Sequence, residues 1–121
     1  MIKRHVVSIT TDADGDGIGY SPVLSGRIHS IRYVKDDYAA GVDFTITAEA
    51  TGETIWAEEN VNASVTKAPR QATHSNAGAA ALYAAAGEAV NERIVLAADR
   101  VKIVVASGGD TKSGMFHVVV D

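Results

Sequence analysis

The residues best suited to chemistry lie in a short acidic run, DADGDG at residues 12–17. The carboxylates of Asp12, Asp14 and Asp16 are hard oxygen ligands with the spacing of the start of a calcium loop. The twelfth position of such a loop is occupied here by Val23 instead of the Glu that would close the site, and the flanking residues are typical of strands. The three carboxylates are therefore candidate metal ligands, although the pattern favours an acidic turn between two strands.

The other reactive side chains show no recognisable catalytic spacing. None of the histidines is paired with a second His, Asp or Glu at the spacing of a metal or catalytic motif. These histidines are His5, His29, His74 and His117. The glycine-rich run at 107–114 lacks the order of glycines, lysine and hydroxyl residue that binds phosphates, and the chain has no cysteine. The sequence thus predicts no catalytic residue, no cofactor and no enzymatic activity.

The composition indicates one domain spanning residues 1–121, long enough to bury a core without disulfides. Eleven basic and fifteen acidic residues are mixed along the chain and give a net charge of −4, which argues against general nucleic-acid binding. No apolar run approaches the roughly 20 residues of a membrane span, and the run after Arg4 is too short for a signal peptide. We therefore expect a soluble chain without a membrane or nucleic-acid partner.

The clearest structural pattern in the chain lies at residues 41–58. Apolar and polar residues alternate strictly from Val42 to Ala50, as expected of a strand with one buried face. A turn at residues 51–52 follows, and Ile55 and Ala57 resume the apolar face of a returning strand. Trp56 then falls on the polar face of this hairpin. A lone aromatic residue on a polar face can mark a contact with a partner, so Trp56 is a candidate partner contact; the competing interpretation is that it packs beneath residues 68–91.

The remaining strands are indicated by short runs rich in β-branched residues. These runs lie at residues 5–11, 23–34, 62–67, 93–97, 100–106 and 115–120. In the second run the apolar positions change parity between Ile28 and Ile31, which predicts a bulge. About eight strands at this spacing predict an all-β fold, an antiparallel β-sandwich or a jelly-roll-like barrel.

Residues 70–91 are the ambiguous part of the chain. Alanine dominates residues 76–87, Ser75 or Asn76 can cap a helix and Gly87 can end one, so we expect one short helix near 76–87. The alternative is a long connection whose small residues lie close against this protein or a neighbour.

One resemblance covers most of the chain. It is carried by four segments in order: SGRIHSIRYV at 25–34, GVDFTITAEATGETI at 41–55, APR at 68–70, and ERIVLAADRVKIVVASGGDTKSGMFHVVVD at 92–121. This succession resembles a group of small, largely uncharacterised proteins encoded among the virion genes of tailed bacteriophages. The resemblance implies a structural protein of the virion, assembled in the bacterial cytoplasm, and it brings no catalytic residue with it.

By analogy with other small β-rich cementing proteins, we expect a capsid decoration protein that binds between subunits of the major capsid protein. Such proteins act as symmetric clusters, so a homo-oligomer is expected, with a trimer favoured. The candidate contacts are the loop at 107–114 and the alanine-rich segment, in particular Ala79, Ala80, Leu82 and Tyr83.

Two other functions remain open from the sequence. The first is a head–tail connector or tail component, which would form a ring at one vertex and differ from a decoration protein in copy number. The second is a carbohydrate-binding module, in which Trp56, Tyr33 and Tyr38 would form the stacking platform.

Overall fold

The computed structural model describes residues 1–121 and is built from strands and turns, without a helix. The strands are β1 (Lys3–Thr10), β2 (Gly17–Tyr20), β3 (Leu24–Val34), β4 (Val42–Ala48), β5 (Thr54–Val61), β6 (Val65–Lys67), β7 (Arg70–Ala72), β8 (Asn91–Arg93), β9 (Val95–Asp99), β10 (Val101–Ala106) and β11 (Ser113–Val120). The structure holds no helix with the length and apolarity to cross a membrane. The expected all-β fold is confirmed, with eleven strands in place of about eight because several connections contain short strands of their own.

The strands form two antiparallel sheets. Sheet A has the order β1-β11-β3, and the far edge of the long strand β3 pairs with β9 along its first half and with β6 along its second half. Sheet B has the order β2-β10-β4-β5, and β7 and β8 form a separate two-stranded ribbon. The apolar faces of the two sheets meet in one core of 22 buried side chains, which confirms the antiparallel sandwich.

The alternation of apolar and polar residues in the sequence matches the alternation of buried and more exposed side chains along the strands. Val42, Phe44 and Ile46 of β4 are buried, and Val7 and Ile9 of β1 point into the same core. The bulge expected between residues 28 and 31 is also present, because Val119 pairs with Ser30 while Val120 pairs with Ile28, which leaves His29 as the extra residue. One added residue restores the inward direction of the apolar side chains in the first half of β3.

The two sheets approach closely where β2 crosses β1. A Cβ atom at Gly19 would lie 2.5 Å from Cγ1 of Ile9, and one at Gly17 would lie 2.8 Å from Cγ2 of the same residue. No side chain fits at either position, so glycine is required for β2 to lie against β1.

The prediction of a short helix near residues 76–87 is wrong. This segment consists of turns and isolated bridges, in which His74 pairs with Ala80 and Leu82 pairs with Ala89. A helix of this length is marginal unless one face packs against the rest of the protein, and every residue from 82 to 88 is exposed. The alternative of a long connection is therefore the correct one.

Five aromatic rings occupy the centre of the core. The ring of Tyr33 lies 5.2 Å from that of Phe44, 5.3 Å from that of Phe116 and 6.2 Å from that of Tyr38, between centroids. Trp56 meets Phe44 edge-on at 4.9 Å. Burial raises the pKa of both tyrosines, so both phenols stay neutral. Their hydroxyls nevertheless differ, because that of Tyr38 donates to the carbonyl oxygen of Ile9 at 2.6 Å and that of Tyr33 has no partner.

Because of this difference, removing the hydroxyl group should affect the free energy of unfolding differently at the two tyrosines. Tyr38→Phe leaves the Ile9 carbonyl without its donor and should lower the free energy of unfolding by about 1–2 kcal/mol. Tyr33→Phe removes a buried hydroxyl that bonds to nothing and should leave stability unchanged or raise it by up to about 1 kcal/mol. Urea denaturation followed by the fluorescence of Trp56 measures both, and equal losses in the two variants would contradict the assignment.

Candidate functional site

The aromatic residues proposed for binding lie in the core. Trp56 is 8 % exposed, and Tyr33 and Tyr38 are buried beside it. The expected position of Trp56 on the polar face of the hairpin is wrong because the β4–β5 pairing shifts register: Ile46 pairs with Trp56, Thr47 pairs with Thr54, and Ile55 is extra. The bulge turns both Ile55 and Trp56 inward. The indole is therefore part of the core, and Trp56, Tyr33 and Tyr38 do not form an exposed platform on which a sugar could stack.

The acidic run at residues 12–17 forms a turn closed by one of its own side chains. Oδ1 of Asp12 accepts the backbone N–H of Asp14 at 2.9 Å and that of Asp16 at 3.0 Å. No group of three or more His, Asp or Glu side chains comes together with the geometry of a metal site, here or elsewhere in the chain. The three candidate ligands therefore serve different purposes, since Asp12 holds the turn while Asp14 and Asp16 extend into solvent.

This turn and two other loops meet at one end of the sandwich. The backbone N–H of Gly108 donates to the carbonyl of Gly15, and that of Ala39 donates to the carbonyl of Gly108, both at 2.9 Å. We call this surface, formed by residues 12–16, 35–41 and 107–112, the acidic end. Its charged residues are Asp12, Asp14, Asp16, Asp36, Asp37, Asp110, Lys35 and Lys112. Its net charge of −4 equals that of the whole chain.

The four histidines are dispersed over the molecule. His5 and His117 lie on neighbouring strands but on opposite faces of sheet A, because His5 is opposite Val118 while His117 is opposite Val6. Nδ1 of His117 lies 3.1 Å from the guanidinium of Arg4. His29 is exposed at the bulge of β3, and His74 is exposed beyond β7.

The most unusual feature is an excursion from the edge of sheet A, residues 70–93, which we call the arm. None of its residues is buried, and β7 and β8 form its base. Beyond the base three backbone hydrogen bonds form a closed ring. Thr73 donates to Val90 at 2.8 Å, Val90 donates to Ala81 at 2.9 Å, and Ala81 donates to Thr73 at 2.8 Å. The arm is thus a three-way junction of ribbons, held together by its own backbone.

Two tight turns project from this junction. In the first, Ser75 donates to Ala79 at 2.8 Å; in the second, Tyr83 donates to Glu88 at 3.1 Å. We call residues 75–87 the arm head. It contains no charged residue, and its large side chains are open to solvent, with Leu82 47 % and Tyr83 77 % exposed. Of the partner contacts expected from the sequence, four residues are exposed in the arm head and Trp56 is buried in the core. The four exposed residues are Ala79, Ala80, Leu82 and Tyr83.

Comparison with known proteins adds no assignment. No protein-family model matches the chain, and no curated protein matches it significantly.

The acidic turn predicts a contrast between two aspartates. Asp12→Ala removes the acceptor of two N–H groups and should lower the free energy of unfolding by about 1 kcal/mol more than Asp14→Ala, which removes a carboxylate that accepts no hydrogen bond within the chain. Both variants remove the same charge, so repulsion within the acidic end cancels in the comparison. Thermal unfolding with and without calcium measures the difference. Equal losses, together with stabilisation of the unmodified chain by calcium, would show that the run binds metal instead.

The arm predicts that the sandwich folds without it. Replacing residues 74–89 by Asn-Gly joins Thr73 to Val90, which are already hydrogen-bonded, through a two-residue hairpin turn. Because the removed residues bury nothing in the core, the free energy of unfolding should change by less than about 1 kcal/mol. Shortening the 35–41 loop, which carries the buried Tyr38, is the matched control and should destabilise the fold severely. Loss of cooperative unfolding on arm removal would contradict the prediction.

Proposed function

We propose that the chain is a capsid decoration protein of a tailed bacteriophage, a homo-oligomer that binds between subunits of the major capsid protein and stabilises the head. The observation that supports this most is the arm, a 24-residue excursion (70–93) without a buried residue. Its head, residues 75–87, carries no charged residue and exposes Leu82 and Tyr83, and exposed apolar side chains of this kind are a feature of contacts with other proteins. We therefore propose that the chain acts by binding other proteins through its surface.

The construction of the arm suits it to binding. Its backbone groups are paired with one another through the junction of Thr73, Ala81 and Val90, so the arm is formed before any partner arrives. Binding a preformed element costs less conformational entropy than ordering a flexible one. The alanines of the arm head allow a close approach, while Leu82 and Tyr83 supply the large apolar side chains of an interface centre.

The acidic end supplies a second surface of different chemistry. It is built from three loops fastened to one another and to the core through Tyr38, and it bears the excess negative charge of the chain. An uncharged arm head beyond the edge of sheet A and an acidic end formed by loops allow contacts with two different neighbours at once. Such an arrangement suits a protein that cements an assembly.

The proposal is tested first by counting copies. Quantitative mass spectrometry of purified virions should find this chain at a few hundred copies per particle, in a fixed ratio to the major capsid protein. About a dozen copies or fewer would indicate a connector or tail ring. Absence of the chain from virions would remove the structural role.

The arm gives a second test of the same function. The variant with Leu82→Glu and Tyr83→Glu should bind capsids lacking the protein at least tenfold more weakly than the unmodified chain, because it places charges in an apolar contact. Thr45→Glu, an exposed position on the outer face of β4, is the control and should bind normally. Unchanged occupancy of the arm variant would exclude the arm from assembly.

A further inference from the structure

Sheet A is basic, although the chain as a whole has a net charge of −4. Strands β1, β3, β6 and β11 contain five of the eleven basic residues and none of the fifteen acidic ones. The five are Lys3, Arg4, Arg27, Arg32 and Lys67. The excess negative charge therefore lies outside these four strands.

The strand register shows which side chains share the outer face of this sheet. Residues directly opposite each other in an antiparallel pair point to the same side. Phe116 and Val118 of β11 are buried, so the alternate residues of this strand point outward. Across β1, β11 and β3 the first outward row is Ser8, Met115 and Val34, the second is Val6, His117 and Arg32, and the third is Arg4, Val119 and Ser30. None of these nine residues is buried, and we call them the basic face.

The two guanidinium groups of the basic face are held in place but lack a carboxylate. Arg4 donates to Nδ1 of His117 at 3.1 Å, and Arg32 donates to Oγ1 of Thr66 at 2.9 Å. The five ion pairs of the chain involve neither arginine. A guanidinium has five N–H donors and binds a carboxylate through two of them at once. Both groups therefore retain donors for a carboxylate from outside the molecule.

Apolar side chains surround the two arginines. Val6 is 51 % exposed, and Val34, Met115 and Val119 are partly exposed. Arginine and methionine are enriched in protein interfaces, and apolar contacts around a charged pair exclude water from it. The composition of the basic face therefore favours an acidic protein surface as its partner.

An acidic surface of this kind is present in the same chain. The acidic end has a net charge of −4. The carboxylates of Asp14, Asp16 and Asp36 are exposed, and within the chain they accept no hydrogen bond and pair with no basic group. Backbone hydrogen bonds hold the loops of the acidic end together, so these carboxylates are presented by a preformed surface.

We propose that the acidic end of one copy of this chain docks on the basic face of a second copy, where its free carboxylates bind Arg4 and Arg32. Opposite charges on the two surfaces favour the contact and fix its orientation. Arg4 lies six residues before Thr10, where β1 ends at the acidic end, a separation of about 20 Å at the rise of a strand. The contact therefore joins different copies. Unlike surfaces that meet in this way form a closed ring where the rotation between copies permits it.

The inference rests on the proposed function for the homo-oligomer, and it identifies the two surfaces that build it. The arm is then left for the capsid subunits. A ring of copies presents several arms to the shell at once, and multivalent attachment of this kind strengthens binding without any new contact.

The test uses two variants that each reverse the charge of one surface. The basic-face variant carries Arg4→Glu and Arg32→Glu, and the acidic-end variant carries Asp14→Arg, Asp16→Arg and Asp36→Arg. All five side chains are exposed, so both variants should fold, which circular dichroism and thermal unfolding verify. Light scattering coupled to size-exclusion chromatography at high micromolar concentration should show an oligomer for the unmodified chain. Each variant alone should be a monomer, with its dissociation constant raised at least tenfold. A milder pair, Arg4→Gln and Arg32→Gln, should weaken association in the same direction.

A matched control separates the basic face from net charge. The variant with Lys3→Glu and Lys102→Glu changes the net charge by the same amount as the basic-face variant. Lys3 points to the opposite side of β1 from Arg4, and Lys102 lies in β10 of sheet B, so the basic face stays intact. This control should associate as the unmodified chain does.

Salt gives an independent reading of the same contact. Raising the ionic strength from about 0.1 M to about 1 M shortens the Debye length from roughly 10 Å to roughly 3 Å. The oligomer of the unmodified chain should therefore dissociate, with at least a tenfold rise in its dissociation constant.

Mixing the two charge-reversed variants restores one native contact. The acidic-end variant retains the native basic face, and the basic-face variant retains the native acidic end. The equimolar mixture should therefore form a species of at least twice the 12.6 kDa chain mass, although each variant alone does not.

Four outcomes overturn the inference: a monomeric unmodified chain, a basic-face variant that associates as well as the control, association that does not weaken with salt, or an equimolar mixture that stays monomeric. These measurements use the purified chain, whereas the decoration role is judged from virion copy number, so either proposal can fail without the other.

Discussion

The aromatic cluster centred on Tyr33 is the interaction on which the rest of the structure depends. It takes Tyr33 and Phe116 from sheet A, Phe44 and Trp56 from sheet B, and Tyr38 from the loop between β3 and β4. Each such ring pair contributes ~0.5–1.5 kcal/mol beyond the burial of its area. Five of the seven Phe, Trp and Tyr side chains of the chain lie in this cluster, and the remaining core is filled with Val, Ile and other aliphatic side chains.

The same cluster fixes the acidic end. The hydroxyl of Tyr38 donates to the carbonyl of Ile9 in β1, and a Cβ atom at Gly114 would overlap the Tyr38 ring. The loop that carries Tyr38 is thereby held against both β1 and β11. The loops of the acidic end are fastened to this loop by backbone hydrogen bonds, so a surface made of turns becomes a rigid one.

The arm is stabilised in a different way from the two-sheet sandwich, which we call the body. The body is stabilised by buried side chains, whereas the arm buries none and depends on backbone hydrogen bonds around its junction. Its stability is therefore local, and its apolar head remains unpaired within the single chain.

The sequence alone predicts most of the strands, the β4–β5 hairpin and its turn, the inward face of β4 and the bulge between Ile28 and Ile31, because burial on one face imposes a period of two that local sequence records. It does not predict the short strands β2, β7 and β8, and Ala57, expected on the buried face of the hairpin, is exposed. It did not place Trp56, since a register shift in the neighbouring strand pair turned the indole inward and no local signal marks that shift. It also favoured a helix at 76–87, because alanine propensity is a small local preference. The tertiary structure decided otherwise: no surface of the body covers that segment, and backbone pairing with its own neighbours satisfies its polar groups instead.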